Sequence, residues 1–202
     1  MMTMRRSFAG VLSVMFLVLC LAPEHEGQVK RPDGSTIRKA SPATKGTPSK
    51  MTGEADFDAL ARKATESGAI KDQSNLFGQA FALREWHFIA RGKFPDVHPY
   101  IAKDAQTADG QYMIRAFTDT DRLLRFAREN NLMEKDATGE ENVSILSVPT
   151  DNIIDYLEQF ISQGVYGIWF NSDTESDGFF VPLKQLRPIK AYLDNSSRRP
   201  SP

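Results

Sequence analysis

Residues 143–182, "VSILSVPTDNIIDYLEQFISQGVYGIWFNSDTESDGFFVP", decide the fold. "VSILSV" is a short apolar run suited to a buried strand. After Pro149, Thr150 has the side chain of a helix N-cap. Ile153, Ile154, Leu157, Phe160 and Ile161 then recur at the spacing of a single apolar helix face. Gly164 suits the helix end, because glycine accepts the left-handed conformation found just past a last turn. "VYGIWF" and "FFVPL" read as two further strand runs, the second stopped by Pro182. Between them "NSDTESDG" places oxygen-bearing side chains at Asn171, Asp173, Glu175 and Asp177, as a calcium loop does at its start. Such a loop runs for about twelve residues and closes with a bidentate glutamate. Here Lys184 falls at that place, and an ammonium group cannot ligate a cation. Asp-Gly ahead of a strand is instead a hairpin signal, with the glycine expected at positive φ. The segment reads as strand, helix, strand, hairpin, strand.

The same alternation extends upstream. Phe57, Leu60, Ala61 and Ala64 form one helical stripe that Gly68 is placed to end. Leu76, Phe77, Ala80 and Phe81 predict a second helix, weakened by Gly78. "WHFIARG" and "QYMIRAF" are aromatic and β-branched runs that predict strands. The proline-containing stretch between them predicts loop with a short edge strand. Thr118 or Asp119 is placed to cap a helix bearing Leu123, Leu124, Phe126 and Ala127, followed by a polar connection. The fold class expected is α/β, with α+β as the variant: a single mixed sheet with helices packed on it. Leu183–Leu186 adds a last helical turn.

Composition bounds the rest. Of 202 residues, 41% are apolar and 25% charged, the balance of a globular domain with room for tails. A formal net charge of −1 gives no reason to expect a nucleic-acid partner. Cys20 is the one cysteine, so neither an intramolecular disulfide nor a cysteine-rich metal site can form. Arg5 and Arg6 precede an apolar run of about fifteen residues, the order and length of an export signal and short of the ~20 residues that span a bilayer. Residues 1–22 are therefore expected to be a signal peptide. Cys20 resembles the lipidated cysteine of a bacterial lipobox, although Leu19 stands where Gly, Ala or Ser is usual. "CLA" offers small residues to signal peptidase, but Pro23 follows. Lipidation at Cys20, cleavage, and retention as an uncleaved anchor all stay open. Residues 23–53, rich in Pro, Gly, Ser, Thr and Lys and without apolar periodicity, read as a disordered tether. Residues 54–190 form the domain, and 191–202 read as a disordered tail.

Few residues carry visible chemistry. His87 lies in a strand run beside Trp86, and Asp96 and His98 share a loop with Asp104 downstream. No Gly-x-Ser-x-Gly elbow and no phosphate-binding glycine loop is present. Trp86, Tyr112, Phe117, Trp169, Phe170, Phe179 and Phe180 are many aromatics for this length. Alternation along strands sends about half of them to the core, and any left exposed together would mark a binding patch.

Three stretches, "IRAFTDTDRLLRFARE", "ILSVPTDNIIDYLEQF" and "VYGIWFNSDTESDGFFVPLKQL", resemble in order the N-terminal domain of the SseB family of bacterial proteins, named for enhanced serine sensitivity. "FDALARKA" and "NLFGQAFALREWHFIA" are similar to that family's opening helices and first strand. The likeness covers most of residues 57–186 and rests mainly on hydrophobic pattern. It implies that Phe117, Thr118 and Asp119 form a strand end and helix cap, and that Asn171 and Gly178 are hairpin ends. It implies no catalytic set. It departs in the export signal and in leaving no length for a second domain.

The expectation is an exported, non-catalytic α/β module, periplasmic or membrane-anchored at the cell envelope. It has no cofactor and no metal, its partner is another protein, and its N-terminus provides for membrane attachment. Trp86, Phe117, Thr118, Asp119, Trp169, Asn171, Gly178 and Phe179 are its candidate interaction or structural residues. The alternatives are a small-ligand hydrolase built around Asp96 and His98, and a weak calcium-binding envelope protein.

Overall fold

The computed structural model describes residues 29–30, 34–40, 56–93, 95–103, 110–172 and 178–197. The expected signal segment with Cys20, much of the expected tether, Asp104 and the loop residues 173–177 lie outside the described residues.

In chain order the elements are β1 (Val29–Lys30), β2 (Thr36–Ala40), α1 (Phe57–Ser67), α2 (Ile70–Ala82), β3 (Glu85–Arg91), β4 (His98–Pro99), β5 (Ile101–Lys103) and β6 (Tyr112–Phe117). There follow α3 (Thr120–Glu129), β7 (Glu134–Lys135), β8 (Glu141–Pro149), α4 (Ile153–Glu158), β9 (Val165–Phe170), β10 (Phe179–Pro182) and α5 (Leu183–Ser197). Local chemistry sets several of these bounds. Asp56 accepts a hydrogen bond from the Ala59 N–H at 3.0 Å to start α1, and Gly68 at φ 60° ends it.

Among the described residues the strands make one mixed sheet in the order β1-β2-β8-β3-β6-β9-β10, with β4, β5 and β7 added on β3, β6 and β8. β6 and β9 run parallel, whereas β3 pairs antiparallel with both β6 and β8, and β10 antiparallel with β9. The α/β expectation of one mixed sheet with packed helices is therefore met. One sheet face, bearing Trp86, Phe88, Ile114, Leu146, Ile168, Phe170, Phe179 and Val181, is buried with apolar residues of α1, α2, α4 and α5. On the other face a smaller core joins Ile89, Phe117, Val143 and Ile145 to Leu123, Phe126 and Ala127 of α3.

The structure departs from the sequence-based expectations in four places. Residues 36–40, expected within the tether, pair with β8 from Thr36↔Ser147 to Ala40↔Val143. A strand added to a sheet edge is held by backbone bonds, which leave no apolar periodicity in the sequence. Ile37 alone reaches the larger core. Residues 191–197, expected as disordered tail, continue α5, which holds Pro188 within it. Proline removes one helix hydrogen bond. Ile189 packs on the core just beyond it, and Lys190 reaches Asp194 one turn on at 2.5 Å. Thr150 does not cap a helix: its hydroxyl donates to the Leu83 carbonyl at 2.5 Å, and residues 150–152 form a 3-10 turn before α4. Finally, positive φ belongs to Asn171 (48°), not to Gly178. Gly178 is required for space, because a Cβ there would meet the Trp169 indole nitrogen and lie 2.8 Å from the Phe170 carbonyl oxygen. No helix among the described residues is long and apolar enough to cross a membrane.

Candidate functional site

The carboxyl ends of the parallel pair β6 and β9 carry a buried polar junction. The chain leaves β6 at Thr118 and enters α3 through Asp119, whose Oδ1 accepts from the Arg122 N–H at 2.8 Å, so Asp119 is the N-cap. Asn171, fully buried after β9, donates its N–H to the Ala116 carbonyl at 2.9 Å. Its Oδ1 accepts from the Thr118 N–H at 3.0 Å, and the Thr118 hydroxyl lies 3.2 Å from both Asn171 Oδ1 and Asp119 Oδ2. The left-handed backbone of Asn171 aims the amide back at β6. Asparagine is among the few non-glycine residues that tolerate this conformation. Arg122 ties the junction to α1 by an ion pair with Asp58, with Asp119 3.5 Å from its Nε. Thr118 and Asp119, expected at a strand end and helix cap, and Asn171, expected as a hairpin end, are thus brought together. The bonds made here join strand ends, which is structural work, while Asn171 Nδ2 is buried without a hydrogen-bond partner among the described residues.

The sheet face that holds α3 is different over β9 and β10. There Trp169 and Phe180 are cross-strand partners, and Tyr166 stacks on Phe180 with ring centroids 5.8 Å apart and 15° between planes. Phe180 packs against Gly167, where a Cβ would come 2.5 Å from its ring. Trp169 is 6.4 Å from Phe180, and the Arg115 guanidinium sits 5.2 Å from the Trp169 ring centre. Tyr166 and Phe180 are 42% and 40% exposed, unusual for stacked aromatic rings on a sheet. A register shift opposite Tyr112 and Met113 makes Tyr166 an extra residue in β9, and such a bulge re-aims a side chain. Of this patch the sequence singles out Trp169 as a candidate and includes Phe180 among the aromatics whose joint exposure would mark a binding surface. Tyr166 and Arg115 were missed, and the signals available were the aromatic alternation of "VYGIWF" and its facing glycine.

Next to Tyr166, at the amino ends of β6 and β9, lies an open cavity of about 490 Å³ lined by Lys103, Gln111, Tyr112, Tyr166, Pro182 and Lys184 among others.

The remaining nominated residues are dispersed. Trp86, Phe117 and Phe179 belong to the two cores; Trp86 meets Phe170 edge-on at 4.5 Å and donates its indole N–H to the Ala80 carbonyl at 2.9 Å. His87 is buried with Nδ1 2.8 Å from Ser147 Oγ, and burial pushes its pKa down. That histidine and serine sit where no substrate can reach, since Ser147 is 2% exposed. His98 is exposed and its Nδ1 is 3.0 Å from the Pro99 carbonyl, while Asp96 closes a turn by donating its N–H to Lys93 at 2.7 Å. Among the described residues, neither Asp96 nor His98 is hydrogen-bonded to a hydroxyl nucleophile. Among the described residues no three His, Cys, Asp or Glu side chains gather as a metal ion requires.

Comparisons with protein-family models, curated proteins and solved structures return no match for this chain.

Proposed function

We propose that this chain is an exported, non-catalytic protein-interaction module of the bacterial cell envelope. Its contact surface is the open part of the sheet face over β9 and β10. The observation that carries this reading is the adjoining set of exposed Tyr166 and Phe180 and half-buried Trp169, with Arg115 over the indole. Aromatic and arginine side chains of this kind supply much of the energy of protein interfaces. β10 is also the last strand of the sheet among the described residues, so its outer backbone edge adjoins the patch. The order of strand, cap and helix over 112–129, of strand and helix over 141–158, and of hairpin and helix over 165–197 supports including the SseB-like architecture in the proposal. Export, attachment through the N-terminus and a protein rather than nucleic-acid partner complete it, on the strength of the basic–apolar leader and the near-neutral charge.

Capture from an envelope extract tests the reading. The full chain is compared with a variant carrying Trp169→Ala and Phe180→Ala. A protein retained by the first and lost from the second supports the proposal, and identical retained sets overturn it.

A further inference from the structure

We propose that the cavity beside Tyr166 receives the carboxylate side chains of an acidic polypeptide segment, whose apolar residues lie along Phe180 and Trp169. This inference rests on the interaction reading above and gives the partner a chemistry. The cavity and the aromatic patch are one surface, because Tyr166 belongs to both. Among the described residues, the charged groups lining the cavity are Lys103 and Lys184, and no carboxylate lines it. Among the described residues a further cation, the Arg115 guanidinium, sits over Trp169. The two lysines reach the cavity from separate elements, the end of β5 and the first turn of α5. Gly110, at φ 57°, lets Lys103 lie across the rim, since a Cβ there would come 2.5 Å from its Cε. Lys184 stands in the opening turn of a helix that has no acidic residue there, so the positive end of the helix adds to its charge. Tyr112 and Tyr166, 53% and 42% exposed, supply flat apolar walls with hydroxyl groups.

Such a surface is complementary to negative charge flanked by apolar side chains, and charge complementarity selects partners and orients them. Successive steps of 5.8, 6.4 and 5.2 Å lead from Tyr166 to Phe180, Trp169 and Arg115. An extended segment of about five residues, at ~3.3 Å each, covers that path.

The test is selection from a displayed library of random short peptides on the full chain, followed by affinity measurement of the enriched peptides. The expected result is enrichment of Asp or Glu beside aromatic or aliphatic residues. Replacing both lysines, Lys103→Glu with Lys184→Glu, should weaken the enriched peptides by roughly tenfold or more, and Lys103→Gln with Lys184→Gln should weaken them less. The charge-reversed variant is expected to fold, because an acid in the first turn of α5 suits the helix; its melting temperature checks this. Enriched peptides without acidic bias, or acidic peptides that bind the lysine variants unchanged, overturn this inference and leave the interaction reading standing. Retention of no peptide by the unaltered chain, or retention indifferent to Trp169→Ala with Phe180→Ala, overturns both. Tighter binding of a single-stranded oligonucleotide than of any selected peptide overturns the choice of a polypeptide.

Discussion

Phe117 and Phe180 lie on the same face of one sheet, yet the first is fully buried and the second 40% exposed. Over β8, β3 and β6 that face is closed by α3, whose Leu123, Phe126 and Ala127 reach down to Ile89, Phe117, Val143 and Ile145. Over β9 and β10, among the described residues, no helix packs on it as α3 does, and its own rings lie there, Phe180 against Gly167 and Trp169 against Gly178. Flat aromatic rings can cover a glycine-bearing strand without a helix above them, and what they expose is then itself apolar. The covered half converts its aromatic residues into stability. The open half leaves Tyr166 and Phe180 partly exposed.

The largest expected effect breaks the covered half. Phe117→Ala removes a ring packed 5.3 Å from Phe126, and emptying such a site costs about 3–5 kcal/mol. Urea denaturation checks this; a loss under ~1 kcal/mol would show that α3 does not close the face as described.

A smaller effect is expected at the junction where the two halves meet. Asn171→Ala leaves the buried Thr118 N–H without its acceptor and puts alanine at positive φ, a combined cost of about 2–3 kcal/mol. Asn171→Gly relieves the backbone and should recover part of it, and Asn171→Asp keeps the acceptor. Equal melting temperatures for all three variants would remove the junction from the account.

The covered half also carries a pH dependence. Burial holds the pKa of His87 below its ordinary 6.5, against the pull of Glu85 and Asp119 and with the help of Arg38. The unfolded chain therefore takes up a proton there before the folded one does, so stability should fall as pH drops below about 6.5. His87→Gln, which can still bond Ser147, should flatten that slope in urea titrations at successive pH values. An unchanged slope would assign it to other groups.

The smallest effect on stability falls on the open half. Phe180→Ala should cost about 1 kcal/mol or less, because much of the ring already meets water. The same variant should lose the partner contact. A loss of stability matching that of Phe117→Ala would mean that the two halves are not different in kind.

Much of this molecule was legible because the deciding chemistry is local. Gly68 after α1, Asp119 before α3, and the aromatic runs of β3, β6 and β9 are each written within a few residues. The candidate surface was less so. Trp86, Tyr112, Phe117, Trp169, Phe170, Phe179 and Phe180 are one class in the sequence, yet Trp86, Phe117, Phe170 and Phe179 are core, Trp169 is half-buried, and Tyr112 and Phe180 are exposed. Strand alternation says which residues share a face; it does not say which part of that face a helix will cover.

What the amino-acid sequence determined on its own was the order of the main elements between residues 57 and 186: apolar periodicity, capping side chains and turn glycines make a strand–helix alternation and a hairpin. What only tertiary structure decided was where those elements meet. β2 joins β8 through backbone groups that every residue carries, α5 runs past Pro188 because Ile189 finds the core, and the bulge at Tyr166 turns a strand residue toward Phe180. Hydrogen-bond pairing and register join residues far apart in the chain, and no short stretch of sequence records its distant partner.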